Sequence, residues 1–234
     1  MPQPNTGPAP ALVLFDIDGT LVRRAGPHHR EALIEAVRRI AGVQTTTDHI
    51  PVQGMLDGDI LAWMLKDAGV PAPRIREWMP KLTRRAQWIY SRRCPTDLTG
   101  KVCPGVVGLL QTLRLRRLLT GIVSGNLTQI GWKKIERAGL KQFFRYGCFA
   151  DRGRTRSELV KLAIAEARAN AWIARRTPIA LIGDHPNDIE AARRNNVRSI
   201  AVATGVVGKD ELAAHKPDLL LDDLRNLPME FITA

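Results

Sequence analysis

Apolar residues gather in five short runs: Ala11–Phe15, Leu118–Val123, Pro178–Ile182, Ser199–Ala203 and Asp218–Leu221. Each is four to six residues long and ends at polar side chains. Runs of that length without polar alternation suit strands buried on both faces, the condition of a parallel sheet. Between the later runs the apolar positions change to a helical period. Leu127–Ala138 is followed by Gly139, which can end a helix in the left-handed conformation. Ser157–Ala171 sets Leu159, Leu162, Ala163 and Ile164 near one another on a helix, and Asp188–Asn195 does so with Ile189, Ala191 and Ala192. Strands alternating with helices predict an α/β fold with a parallel sheet, whose functional residues gather at the carboxyl ends of the strands.

The segment between the first two runs breaks this alternation. From Arg23 to Cys103 the pattern is helical, as in His29–Ile40, Asp59–Ala68 and Ile75–Ser91, with almost no strand signal. Pro71, Pro73, Pro80, Pro95 and Pro104 mark breaks. Residues 23–103 far exceed the dozen or so that a crossover needs. The pattern therefore predicts an all-helical domain inserted after the first strand. Residues 1–10, rich in proline and small polar side chains, read as a disordered leader.

Bulk composition narrows the setting. A chain of 234 residues fits one large domain, or one domain carrying an insertion. No apolar run approaches the roughly 18 residues of a membrane span. The leader lacks a basic stretch followed by an apolar one, so it does not read as a signal peptide, and the expected location is the cytoplasm. Cys94, Cys103 and Cys148 are odd in number and show no Cys-x-x-Cys spacing, which argues against a disulfide framework or a zinc site. The net charge of +12 draws anions to the surface. Its arginines are scattered as doublets, however, with no interleaved aromatics for stacking on bases and no recognisable nucleic-acid module. The charge fits solvated helix faces and steering of a small anionic substrate better than nucleic-acid binding.

Three short stretches carry chemistry. In LVLFDIDGTL, residues 12–21, the first run meets Asp16 and Asp18, and Gly19 and Thr20 make the turn. Alternation along a strand points both carboxylates to one side. Two carboxylates there suit a divalent cation with oxygen ligands, or a nucleophile beside an acid/base group. The Asp-Gly dipeptide alone also suits a surface turn. In GIVSGN, Gly121 to Asn126, a strand runs into Ser124 and a helix follows. The Ser124 hydroxyl with the backbone N–H groups of Gly125 and Asn126 can cradle a phosphate at a helix start, or Ser124 can be a simple N-cap. In LIGDHPNDIEAA, Leu181 to Ala192, Asp184 ends a strand and Asp188 opens a helix. There Asp188 can support Asp184 or a cation, or merely face the helix dipole.

Together these stretches bring an acid pair, a hydroxyl and a second acid pair to one edge of one sheet. In that order the chain resembles the haloacid dehalogenase superfamily of aspartate-nucleophile hydrolases. DIDGT matches the family's first motif, VSGN its second and GDHPND its fourth. The resemblance implies a three-layer, doubly wound parallel sheet over residues 11–22 and 104–234, with residues 23–103 as an all-helical cap of the C1 type. It implies Asp16 as a nucleophile that forms an aspartyl-phosphate, Asp18 as acid and then base, and Mg²⁺ held by the Asp16 carboxylate, the Asp18 backbone carbonyl and Asp184. Ser124, Gly125 and Asn126 would hold phosphoryl oxygens. Asp188 would orient a basic residue or a metal-bound water, and Gly19 and Thr20 would support the turn. The family's third motif is a basic residue, usually lysine, near the start of the helix before Asp184. Arg156 lies 28 positions before Asp184 and Lys161 lies 23 before it. Both are candidates, and the position of Arg156 suits the role better.

Asp18 separates subclasses. The dehalogenases of the family lack an aspartate two residues after the nucleophile, because a halide leaves without a proton and an alkoxide does not. The resemblance thus implies a phosphatase similar to phosphoglycolate phosphatase, a monomer or homodimer acting on a small phosphomonoester of phosphoglycolate or sugar-phosphate type. A phosphomutase of the β-phosphoglucomutase type shares Asp16 and Asp18, and a non-catalytic polyanion-binding protein could use the same scaffold. Residues of the cap that could face the site are His28, His29, Asp57 and basic residues among Arg74, Arg76, Lys81, Arg84, Arg85, Arg92 and Arg93. Trp63, Trp78 and Trp88 read as helix-packing residues.

Overall fold

The computed structural model describes residues 7–23 and 25–233. Its elements follow in the order β1 (Leu12–Phe15), α1 (His28–Ala41), α2 (Asp57–Asp67), α3 (Ala72–Arg93), α4 (Val106–Leu115), β2 (Leu119–Ser124), α5 (Thr128–Arg137), β3 (Tyr146–Phe149), α6 (Arg156–Ala169), β4 (Ile179–Gly183), α7 (Pro186–Arg194), β5 (Arg198–Val202), α8 (Lys209–Ala214), β6 (Leu219–Leu221) and α9 (Glu230–Thr233). Residues 1–6 of the expected leader lie outside the described residues. Ala9, near its end, is tied down: it bridges to Ile173, and its N–H donates to the Trp172 carbonyl at 2.7 Å.

The six strands form one parallel sheet in the order β3-β2-β1-β4-β5-β6. β1 lies inside it and alternates between two cores. Val13 and Phe15 join one cluster with Leu109, Leu110 and Leu113 of α4 and Ile135 of α5. Leu12 and Leu14 join another with Leu159, Val160 and Ala163 of α6 and Ala191 and Ala192 of α7. Helices on both faces of a parallel sheet make the three layers that the sequence predicts. Full burial of Phe15 contributes about 1.5–3 kcal/mol. The ladder sets Phe15 opposite Ile122 on one side and Ile182 on the other. That register brings the residues just beyond the strands, Asp16 and Asp184, and the last residue of β2, Ser124, to one edge.

Two expectations need correction. Five strands are legible in the apolar runs, and the sheet has a sixth, β3. It is a four-residue edge strand, Tyr-Gly-Cys-Phe, whose interior glycine and flanking arginine leave no apolar run to detect. Pro80 does not break a helix; it lies inside α3. Proline removes one N–H and crowds the preceding turn. Here it is exposed, while Leu82, Ala86, Ile89 and Tyr90 on the buried side fasten the helix across the defect. Pro73, in the first turn of α3, costs no hydrogen bond.

α1, α2 and α3 share a separate core that includes Leu33, Val37, Leu61, Leu65 and Leu82 and also takes in Leu127 and Ile130 at the start of α5. The helical unit thereby sits over the carboxyl edge of the sheet. Among the described residues no helix is long and apolar enough to cross a membrane.

Candidate active site

The end of β1 delivers Asp16 into a basic and acidic cluster. Asp16 is almost fully buried, and its N–H completes the ladder to the Ile182 carbonyl at 3.0 Å. The Arg156 guanidinium donates to Asp16 Oδ1 at 2.8 Å and to the Val123 carbonyl at 3.3 Å. Its Nε stands 3.4 Å from Asp188 Oδ1, close enough for an ion pair but not aligned for a hydrogen bond. Burial works against the charge on Arg156, and the carboxylates of Asp16 and Asp188 more than offset it, so its proton is held more tightly than usual. Lys161, the other basic candidate, is not in this site. It lies five positions further along α6, about 7.5 Å on and about 140° around the helix, where it is exposed and lines a different cavity.

Asp16, Asp184 and Asp188 each bring a carboxylate oxygen within 4.8 Å of the others, all buried. Thr20 Oγ1 donates to Asp184 Oδ1 at 3.0 Å, and Gly19, at φ +84°, leaves the space that the Asp184 carboxylate fills. A Cβ on Gly19 would overlap that carboxylate. Burial and the neighbouring Asp16 push Asp184 well above the usual carboxylate range. Burial pushes Asp188 up to about 7 against the pull of Arg156. Asp188 Oδ1 is buried without a hydrogen-bond partner. An orphaned oxygen among three buried acids suits a hard divalent cation with oxygen ligands. The Asp18 side chain is not part of this group; the expectation for Asp18 as a ligand concerned its backbone carbonyl.

Asp18 is instead held by Lys134, a residue that the sequence motifs did not single out. Lys134 Nζ donates to both Asp18 oxygens at 2.7 Å and to His29 Nδ1 at 3.1 Å. An ammonium only donates, so Nδ1 accepts and the ring hydrogen is on Nε2. From there it donates to Asp57 Oδ2 at 3.0 Å. Asp57 Oδ2 also accepts from the Leu127 N–H at 2.8 Å, and the edge of His29 meets Tyr90. The chain Asp18, Lys134, His29, Asp57 thus runs from the sheet edge into the helical unit. Burial works to raise the Asp18 carboxyl. The charge of Lys134 and the hydrogen bonds from Lys134 and Asn126 outweigh it and hold the group below the usual range. Lys134 is legible in hindsight as a lysine on the buried face of α5, beside Ile130, Gly131 and Ile135.

Ser124 is fully buried, and its Oγ accepts from the backbone and side-chain N–H groups of Asn126 at 3.3 and 3.1 Å. Asn126 Nδ2 also donates to Asp18 Oδ2 at 2.7 Å, which fixes the amide orientation. Gly125 and Asn126 line a cavity of about 600 Å³ together with Asp16, Asp18, Arg156 and Asp184. The helical unit closes its other side with His29, Arg30, Thr47 and Asp57. Two buried polar atoms on its wall lack partners, Asn126 Oδ1 and Thr47 Oγ1. Of the basic residues considered for this wall, none from α3 reaches it; Arg74 pairs with Glu77, and Arg85 and Arg92 stack on Trp88. Arg23 and Arg30 line it in their place.

The chain is similar to several known proteins. A family model described as haloacid dehalogenase-like hydrolase matches residues 10–196. The chain is 26% identical to the probable phosphatase IndB of Dickeya dadantii (strain 3937), across 90% of this chain and 89% of that one. It is 34% identical to the phosphoglycolate phosphatase of Synechococcus elongatus over 51% of this chain and 54% of the relative. Among solved structures, a β-phosphoglucomutase from Clostridium difficile shares the fold at 16% identity, with a TM-score of 0.69 and 95% of each chain covered.

Proposed function

The chain belongs to the haloacid dehalogenase-like hydrolases, and we propose that it is a Mg²⁺-dependent phosphatase of small phosphomonoesters that works through an aspartyl-phosphate on Asp16. One observation carries the reading. Asp16 lines the cavity with Oδ1 held by Arg156, and among the described residues no hydrogen bond engages Oδ2. A carboxylate gripped at one oxygen presents the other for in-line attack on phosphorus.

Each step has a residue to support it. Arg156 and the N–H groups at the end of β2 offer donors to the phosphoryl oxygens. The oxygen of Asp16 bonds to phosphorus as the ester oxygen departs, and Asp18 gives that oxygen its proton. In the second half, Asp18 takes a proton from the water that attacks the aspartyl-phosphate, which frees phosphate and restores Asp16. Lys134 favours the ionised form of Asp18, the form required for that second half. Donation in the first half requires Asp18 to be protonated, which a loosened Lys134 contact would favour. A divalent cation on Asp16, Asp184 and Asp188, with the Asp18 backbone carbonyl as the family resemblance implies, would neutralise the phosphoryl charge.

The cavity favours one of the two substrate types over the other. Asn126 Oδ1 is a buried acceptor in need of a donor, and Thr47 Oγ1 is a buried hydroxyl in need of a partner. A hydroxylated organic group, as in a sugar phosphate, supplies a donor to Asn126 Oδ1, which phosphoglycolate, ionised at neutral pH, does not; the Thr47 hydroxyl, donor and acceptor both, suits either. Asn126 belongs to the sheet edge and Thr47 to the segment between α1 and α2, so both the core and the helical unit bear on this preference.

The test is a metal-dependent screen across phosphomonoesters, with Asp16→Asn alongside. The reading predicts release of inorganic phosphate in a single turnover and its loss in the variant at unchanged circular dichroism. Transfer of phosphate to a second hydroxyl without release would favour a phosphomutase. No metal-dependent turnover of any ester would overturn the assignment.

A further inference from the structure

A second cavity, of about 590 Å³, opens at the other edge of the sheet. Ile179 and Arg198, the first residues of β4 and β5, line it. Asp184 follows the far end of β4, about 16 Å away at about 3.3 Å per residue. The cavity is lined by five cationic side chains, Lys161, Arg168, Arg175, Arg176 and Arg198, and by no carboxylate.

Several arginines elsewhere on this surface meet an acid on their own helix, while others, such as Arg85 and Arg92 over Trp88, meet an aromatic ring instead. Arg38 and Arg39 pair with Glu35, Arg74 with Glu77, and Arg193 and Arg194 with Glu190. Around this cavity Lys161, Arg168, Arg175 and Arg176 form no ion pair among the described residues. Helix dipoles explain only part of this. α6 and α7 both end nearby, and each helix end is worth roughly −0.5 of a charge. Arg168, in the last turn of α6, answers its own helix end. Lys161, before that turn, and Arg175 and Arg176, on the loop ahead of β4, do not. Together the two helix ends offset about one of the four charges on Lys161, Arg168, Arg175 and Arg176.

We propose that this cavity binds a small, multiply charged anion of the oligophosphate class. Arginine forks grip phosphoryl oxygens in pairs, and several cations converging without a carboxylate match a ligand of several negative charges. The volume is that of a small-molecule site. No aromatic side chain lines it, so it lacks the stacking platform that single-stranded nucleic acid uses. The site accounts for Lys161 and for part of the positive charge surplus, neither of which the catalytic cavity uses.

The experiment is titration calorimetry of the full chain with inorganic tripolyphosphate, both freed of metal on a chelating resin, at two salt concentrations. The wild type is compared with a triple variant, Lys161→Ala, Arg175→Ala and Arg176→Ala. All three positions are exposed, and circular dichroism and melting check the fold. The proposal predicts binding that weakens with salt, and affinity in the variant lower by about tenfold or more, with turnover of phosphomonoesters unchanged. Equal affinity in both proteins would overturn it, because the anion would then be bound elsewhere. So would no heat of binding in the wild type. Tighter binding of a single-stranded oligonucleotide, lost in the same variant, would overturn it in favour of nucleic acid.

Discussion

Lys134 holds Asp18 by both carboxylate oxygens, at 2.7 Å each, from a position that is itself only 1% exposed. A buried ammonium with three partners, Asp18 twice and His29 once, is oriented as well as charged. It couples the acid/base candidate to the helical unit through side chains alone.

Replacing Lys134 with Met removes the main counterweight to burial at Asp18 and leaves the Asn126 hydrogen bond, so its proton affinity rises. The acidic limb of the kcat profile is expected to move to higher pH, and Lys134→Arg to restore much of the wild-type position. Stability should fall by about 1–3 kcal/mol in urea titration, less than for a fully buried pair because the Asp18 side chain is 44% exposed. The loss has a direction in pH. A carboxylate held below its ordinary value adds stability above the unfolded value of 3.8 and loses it as pH falls through the folded one. The difference between wild type and Lys134→Met should therefore shrink in acid. An acidic limb that stays in place in Lys134→Met would refute the coupling.

Asp184 and Asp188 give the opposite sign. Both carboxyls are raised, Asp188 from 3.8 to about 7. The unfolded chain gives up these protons first, so the metal-free protein loses stability as pH rises from about 4 through the folded values. A divalent cation competes with those protons. The rise in melting temperature on adding millimolar Mg²⁺ should accordingly be larger at about pH 8 than at about pH 5, and Asp188→Asn should flatten the difference. Equal shifts at both pH values would remove these carboxylates as ligands.

Much of this site was legible because its residues stand where apolar runs stop. Asp16 and Asp184 follow a buried strand and Ser124 ends one, and strand ends in a parallel sheet share an edge. Lys134 was hidden for the complementary reason. It occupies an apolar-face position of an ordinary amphipathic helix, and only the fold shows that the face meets Asp18. Spacing to Asp184 already favoured Arg156 over Lys161, and helical phase, which needs the exact start of α6, is what parts them in the structure. β3 escaped because an edge strand with an interior glycine has no apolar run. Thr47 escaped because its role is to lack a partner, a property that no sequence pattern records.

Gly54 tests how the helical unit seats on the sheet. It lies between α1 and α2 at φ +67°, and its carbonyl accepts from Asn187 Nδ2 at 2.9 Å. The His185 ring occupies the space where a Cβ would project. One residue on, the Met55 carbonyl packs on Gly125, which in turn accepts from the Asp57 N–H at 2.8 Å. Gly54→Ala must therefore lift this loop from the cavity wall as well as strain the backbone. The strain alone, about 1–2 kcal/mol, is reproduced by Gly42→Ala, where φ is +71° and a Cβ meets nothing within 4 Å. Both variants should melt a few degrees lower. Only Gly54→Ala should lose kcat/KM, by about tenfold, the equivalent of about 1.4 kcal/mol. If Gly42→Ala lost as much, the effect would belong to general destabilisation and not to the seating of the loop.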